Sequence, residues 1–92
     1  MKEYYIELNI NVKHHVHDDT YYYNNCREFV DSFEKAAKYE SWDVEDITRE
    51  AKKILKKYSS VKKAYVNIWY INNGIDESVE LIELEVENES KN

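Results

Sequence analysis

Two stretches of alternating polar and apolar residues, one near each end of the chain, constrain the fold more than any other feature. In the first stretch the apolar positions are Tyr4, Ile6, Leu8, Ile10, Val12 and Val16. In the second they are Ala64, Val66, Ile68 and Tyr70, followed beyond a turn by Ile82, Leu84 and Val86. A period of two is typical of a β-strand with one buried face. The sequence therefore predicts a sheet with one core face and a second face rich in Tyr, Trp, Asn and Glu.

Composition limits the class of protein. The chain has 92 residues, of which 42% are hydrophobic and 35% charged, and this suits one globular domain at residues 1–87 with a polar tail at 88–92. One cysteine favours a reducing cytoplasm. The lack of a long apolar run argues against a membrane span, and we expect no signal peptide, because the N-terminus leads directly into a strand. The net charge of -6 argues against a nucleic-acid partner and favours a protein with a basic surface.

Between the strands, the periodicity predicts two helices. The first is expected to begin near Asn24 or Asn25 and to bury an apolar stripe of Cys26, Phe29, Val30, Phe33, Ala36 and Ala37. The second is expected to begin at an Asp43 N-cap and to end at Ser59-Ser60. In this interpretation Cys26 is a small buried hydrophobic residue; the alternative is a nucleophile at a helix N-terminus.

The strands complete the expected architecture. Strand one is predicted at Glu3 to Val16, and a hairpin from Val61 to Glu87 is predicted to turn at Asn72-Asn73-Gly74. The pattern of Tyr21 to Tyr23 does not decide between a strand and a lead-in to a helix. We therefore expect an α+β fold of two layers, β-α-α-β-β, or β-β-α-α-β-β if the tyrosine run pairs. Its antiparallel sheet would carry two helices packed on one face.

The order of a strand, an Asp-Asp pair, two helices and a hairpin resembles the tunnelling fold of the dihydroneopterin aldolases and related pterin enzymes. The resemblance covers roughly Asp18 to Tyr70 and includes Val44-Glu45-Asp46-Ile47. It implies a pterin- or purine-binding oligomer, with Glu45 as the glutamate that anchors the ring. Where the aldolases carry a lysine-proline pair after the third strand, this chain has Trp69-Tyr70-Ile71.

A cluster of histidines and acids, His14-His15-Val16-His17-Asp18-Asp19, is the candidate metal site. On a strand, His15 and His17 would project from one face and could bind a divalent transition metal, with a carboxylate from Asp18 or Asp19. The alternative is a solvated strand end without metal. No nucleophile-base arrangement or phosphate-binding loop is evident, so the sequence favours a protein that is not an enzyme and has no cofactor.

The second face of the sheet is the candidate binding surface. Its predicted contact residues are Tyr5, Tyr65, Trp69, Glu83 and Glu85. Tyrosine and tryptophan are enriched at interfaces, and glutamates complement a basic partner. Ordinary cross-strand pairing and a homodimer are the alternatives. The resulting hypothesis is a small acidic inhibitor that occupies a basic groove of another protein, similar in type to phage anti-defence proteins, including anti-CRISPR proteins.

Overall fold

A five-stranded antiparallel sheet with one α-helix on one face forms the structure, a computed structural model that describes residues 2–86. The strands lie in the order β3-β2-β1-β4-β5. Their bounds, with those of the helix, are β1 Tyr4–Val12, β2 Asp19–Tyr23, β3 Phe29–Val30, α1 Val44–Leu55, β4 Val61–Asn72 and β5 Ile75–Glu83. The predicted polar tail at 88–92 lies outside the described residues.

The core lies between α1 and the predicted inner face of the sheet. Ile6, Leu8, Ile10, Val66 and Ile68 are all fully buried, as the alternation predicts. Leu84 is also buried, and Ile82 is half-buried. The helix contributes Ile47, Ala51 and Ile54, which recur with helical spacing on one side of α1. The two periodicities therefore meet in one apolar layer between α1 and the sheet, and α1 does not cover the other face of the sheet.

Helix α1 confirms that the second predicted helix begins after Asp43, but it ends at Leu55 and not at the predicted Ser59-Ser60. Asp43 is its N-cap, and its carboxylate accepts a hydrogen bond of 2.9 Å from the backbone N–H of Glu45. Acids lie in the first turn and lysines in the last turn, and both signs favour the helix dipole. The side chains at the two ends therefore fix where this helix begins and stabilise its last turn.

We expect Asp43→Ala to lower the free energy of unfolding by ~1 kcal/mol, because the substitution leaves the first-turn N–H groups without their acceptor. Urea denaturation measures this loss. Asp43→Ser is the matched control, since a serine hydroxyl also caps a helix and is expected to retain most of the stability. An Asp43→Ala variant as stable as the wild type would show that the cap contributes nothing.

The C-terminal hairpin confirms the predicted turn. Asn73 and Gly74 have φ of 51° and 83°, the positive values that a two-residue hairpin loop requires at both central positions. Strands β4 and β5 on either side of this turn are 12 and 9 residues long. The hairpin therefore forms one long edge of the sheet, and residues 75–81 are all exposed.

The predicted first helix is wrong. The chain turns tightly after β2, where the Asn24 side-chain oxygen accepts hydrogen bonds from the N–H groups of Cys26 (2.9 Å) and Glu28 (3.0 Å). Arg27 adopts a positive φ of 61° in the same turn, a conformation that a helix interior excludes. An asparagine that bonds local N–H groups competes with helix formation.

Strand β3 and a short 3-10 helix at Phe33–Lys35 come after this turn in place of the predicted helix. In β3, Phe29 and Val30 pair with Tyr23 and Tyr22. Aromatic and β-branched residues on both partners favour this pairing over a helix. The sheet thus has five strands and one helix, which corrects both the β-α-α-β-β prediction and the two-helix architecture that the pterin-enzyme resemblance implies.

Two other predictions change for the same local reasons. Strand β1 ends at Val12, not at Val16, because the chain turns at Lys13 and His14, where His14 has a positive φ of 75°. Cys26 lies in the tight turn and is exposed, so the prediction of a buried residue is wrong. The undecided run Tyr21 to Tyr23 belongs to β2 and pairs with β1.

Candidate interaction surface

The face of the sheet opposite α1, called here the outer face, collects most of the predicted contact residues. Strand register places Tyr5 opposite Trp69, and Tyr65 opposite Glu83. These four side chains therefore share one face of three adjacent strands. Glu85 lies just beyond the end of β5 and is exposed. The structure brings four of the five predicted residues to one face of the sheet, and their contact with a partner stays a prediction.

Four aromatic rings, called here the aromatic cluster, pack on the outer face: Tyr5, Tyr22, Phe33 and Trp69. Tyr5 and Trp69 stack with ring centroids 6.2 Å apart and planes inclined by 14°. The Phe33 ring meets Tyr5 edge-on at 5.4 Å and Tyr22 at 5.1 Å. Tyr5 is only 8% exposed, whereas Phe33 is 56% exposed. The Phe33 ring therefore covers Tyr5 and is itself exposed to solvent.

Sequence reasoning missed the role of Phe33, because it placed this residue on the buried stripe of a helix. The 3-10 helix at Phe33–Lys35 instead brings the ring to the outer face, over Tyr5 and Tyr22. The signal that could have found it is the tyrosine run. A β2 strand paired with β1 places Tyr22 beside Glu7 on the outer face. An apolar residue later in the chain can then pack against the Tyr22 ring, as Phe33 does.

Glu7 is the centre of a polar network beside the aromatic cluster. Its Oε1 accepts a hydrogen bond from Trp69 Nε1 at 2.9 Å and another from Asn9 Nδ2 at 3.0 Å. The Tyr5 hydroxyl on β1 donates to Asp76 on β5 at 2.9 Å. Within the hairpin, the Ser78 hydroxyl donates to Asn67 at 2.6 Å. These bonds hold the aromatic side chains in fixed positions, so the middle of the outer face is ordered before any partner arrives.

Three tyrosines, two on the outer face and one on the opposite face, have a raised pKa and therefore resist ionisation. Burial, and then the hydrogen bond to Asp76, raise the pKa of the Tyr5 phenol above its ordinary value. Burial and the negative charge of Glu7 raise the pKa of Tyr22. On the opposite face, burial and a hydrogen bond with Tyr21 raise the pKa of Tyr58. A pKa that is higher in the folded chain than in the unfolded chain means that the protonated phenols stabilise the fold.

We expect the folded chain to lose stability as the pH rises above about 10, where unfolded tyrosines ionise and these folded ones do not. The stabilisation is fully present below that pH and disappears as the pH passes through the raised pKa values. Urea denaturation at several alkaline pH values measures the loss. Tyr5→Phe removes one of these phenols and is expected to make the alkaline fall shallower. A fall equally steep in Tyr5→Phe would show that the Tyr5 phenol has no part in it.

Strand β5 carries a second group of side chains, which is acidic and apolar. Residues 75–86 include five carboxylates and no basic residue. Three large aliphatic side chains in this segment are exposed: Ile75, Val79 and Leu81, the last at 60%. Asp76 and Glu77 accept hydrogen bonds from Tyr5 and Asn72. Within residues 2–86, the carboxylates of Glu80, Glu83 and Glu85 form no hydrogen bond or ion pair.

The predicted metal ligands His15, His17 and Asp18 lie in the loop between β1 and β2, not on a strand, and Asp19 is the first residue of β2. His15 Nδ1 lies 3.2 Å from Asp19 Oδ1, and both are at least partly exposed. Asp18 instead accepts a hydrogen bond of 2.9 Å from Asn11. Across residues 2–86, no group of three or more His, Cys, Asp or Glu side chains is arranged to hold a metal ion. Binding of a metal by His15 and His17 stays an untested prediction.

Glu45, the ligand anchor that the pterin-enzyme resemblance implies, lies in the first turn of α1 and is exposed. Of the helices in the described part of the chain, none combines the length and the apolar character needed to cross a membrane. Comparison with known proteins adds no relative: no family model matches, and no curated protein or solved structure matches significantly. The surface itself is therefore the basis for a functional hypothesis.

Proposed function

We propose that this chain is a non-enzymatic protein-binding module that binds a basic surface of its partner through the C-terminal hairpin. The observation that carries the proposal is the composition of residues 75–86, in which five carboxylates and three exposed aliphatic side chains occur without any basic residue. An apolar centre with a charged border is the usual anatomy of a protein interface. The acidic border selects a basic partner.

The arrangement of the outer face supports the same proposal. Leu81 is opposite Asn67 in the hairpin, and Glu83 is opposite Tyr65, so the exposed leucine and a free carboxylate lie on the same face of the sheet as the ordered aromatic cluster. A surface that is already ordered loses little conformational freedom on binding. In a basic groove, carboxylates speed the encounter, and Leu81 with its aromatic neighbours supplies apolar contact.

The biological role that we propose is inhibition. An acidic domain bound in a basic groove excludes any other ligand of that groove. Proteins similar in type include the phage anti-defence inhibitors, among them anti-CRISPR proteins. We propose the cytoplasm as its location, since the exposed thiol of Cys26 is compatible with a reducing compartment.

The test is capture of a partner by the tagged chain from a bacterial lysate that contains CRISPR and restriction systems, followed by light scattering of the eluted complex. We expect one stoichiometric basic protein, lost as salt is raised, because exposed charges are screened. Failure to retain any such partner would contradict the proposal. If the chain then eluted alone as a tetramer or larger, a pterin-binding oligomer would be favoured, and bound metal in untagged protein would favour a metal site.

A further inference from the structure

We propose that the partner binds by strand addition, with an extended basic segment pairing along the free edge of β5 from Glu80 to Glu83 and continuing past its end to Glu85. This inference rests on the proposed function and specifies how the hairpin holds its partner. Its elements are an unpaired strand edge, a known register of backbone groups at that edge, and three free carboxylates on the same segment.

The edge itself is the first element. Among the described residues, β5 has β4 as its neighbour on one side and no strand on the other. The edge at the other end of the sheet is β3, which has only 2 residues and offers little to pair with. Strand β5 is 9 residues long. An edge of this length presents a row of unpaired N–H and C=O groups, which is the template that strand addition uses.

The register shows which backbone groups are available. The N–H of Leu84 donates to the carbonyl of Ala64 at 2.9 Å, so Leu84 faces β4. In an antiparallel pair successive residues direct their backbone groups to opposite sides, so Ile82 also faces β4, whereas Leu81 and Glu83 face the free edge. Their side chains lie on the outer face, so an added strand would extend the outer face directly.

A β-bulge limits where the added strand can pair. The register shifts between Ile68 and Trp69, since Ile68 is opposite Glu80 but Trp69 is opposite Ser78. Val79 is therefore the extra residue on β5, and a bulge bends the strand and interrupts its regular ladder. The regular part of the edge that remains begins at Glu80, and this is the segment whose carboxylates are free.

Charge decides between the two possible occupants, a basic partner and a second copy of this chain. Pairing β5 with itself would place the carboxylates of both copies side by side, and like charges across strands are destabilising. A strand that alternates lysine or arginine with aliphatic residues would instead place its basic side chains beside Glu83 and Glu85 on the outer face, and its aliphatic side chains on the inner face. The occupant we infer is an extended basic segment of the partner protein.

Two synthetic peptides test this inference on the intact chain. The probe is a short peptide of alternating lysine and valine, and its control is the same peptide with an N-methyl group on every backbone amide, which keeps the charge but removes every N–H that could donate to the edge of β5. Amide hydrogen exchange, followed by NMR, reports the result. We expect the probe to slow exchange at Leu81 and Glu83 while Ile82 and Leu84, already bonded to β4, change little. We expect the methylated peptide to bind at least ~tenfold more weakly.

A proline substitution in β5 tests the same backbone hydrogen bonds by changing this protein instead of the peptide. Leu81→Pro removes an N–H that faces the free edge and leaves the bonds to β4 in place, as proline on an edge strand allows. Leu81→Ala is the matched control, because it loses the side chain but keeps the N–H. Unchanged exchange at Ile82 and Leu84 shows that the hairpin of each variant is intact. We expect the lysine-valine peptide to bind Leu81→Pro at least ~fivefold more weakly than Leu81→Ala.

The outcomes separate this inference from the proposed function. Equal binding of the methylated and unmethylated peptides would overturn strand addition and leave an acidic surface for a basic partner. Equal binding of a glutamate-valine peptide would overturn the selection by charge. Binding of neither basic peptide, together with failure to capture a partner from the lysate, would overturn both.

Discussion

Replacing Trp69 with alanine is expected to lower the free energy of unfolding by about 2–3 kcal/mol and the melting temperature by roughly 10–20 °C. The substitution removes the ring that stacks on Tyr5 and the N–H that donates to Glu7. A fully buried tryptophan would cost more, about 3–5 kcal/mol, but Trp69 is only half-buried. Thermal and urea denaturation, followed by circular dichroism, measure the loss.

Two control variants separate the ring from the hydrogen bond. Trp69→Phe keeps an aromatic ring beside Tyr5 but has no N–H for Glu7, so we expect it to lose only ~1 kcal/mol. Tyr65→Ala removes a half-buried ring from the same strand and face, outside the aromatic cluster, and is expected to cost less than Trp69→Ala. A Trp69→Ala variant that melts like the wild type would show that the stack contributes nothing to stability.

This result also bears on binding. The sequence alone predicts that Trp69→Ala abolishes partner binding without unfolding the domain. The structure adds that the same substitution uncovers one face of the Tyr5 ring and removes one of the two donors to Glu7, since Asn9 remains. Binding therefore has to be compared at a temperature well below the lower melting point of the variant, where both chains are folded.

The parts of the fold that local rules determine could be predicted from the sequence. Asp43 fixes the start of α1 through one hydrogen bond to its own helix. Asn73 and Gly74 fix the hairpin turn through their own backbone conformations. The inner face of the sheet follows from the alternation of apolar residues, because that pattern has only one register that buries them.

The segment from Asn24 to Lys38 could not be predicted in this way. Its apolar residues have helical spacing, but Phe29 belongs to the inner face of a strand and Phe33 to the outer face of the sheet. A periodicity argument assumes that the apolar residues of one segment bury against one surface. Here the side chain of Asn24 bonds the turn, and contacts on two surfaces take the place of one helical stripe.

The candidate site shows the same division. Alternation correctly assigns Tyr5, Tyr65, Trp69 and Glu83 to one face. It cannot show that Phe33 buries Tyr5, since that contact depends on a segment predicted as helix. Nor can it show that β5 is an edge strand, because the order of strands depends on pairing between distant residues. The free edge and its unpartnered carboxylates are visible only in the folded chain.

Reversing two of those carboxylates, in the double variant Glu83→Lys/Glu85→Lys, is expected to weaken binding of a captured partner by about 100-fold, or ~2.7 kcal/mol. Each side chain would then repel the basic surface that it is proposed to attract. The loss should lie partly in the association rate and should shrink at high salt. Both positions are exposed, Glu83 on the edge strand and Glu85 just beyond its end, where lysine is well tolerated, so stability is expected to change by less than ~0.5 kcal/mol.

A second double variant controls for net charge. Glu28→Lys/Glu40→Lys also replaces two exposed glutamates outside the hairpin, and each pair of substitutions changes the net charge by four, from -6 to -2. Surface plasmon resonance with the captured partner compares the two. If the position of the charge matters, only the β5 variant loses affinity. Equal losses would mean that the partner responds to the total charge of the chain, and unchanged binding in both would remove the acidic edge of β5 from the interface.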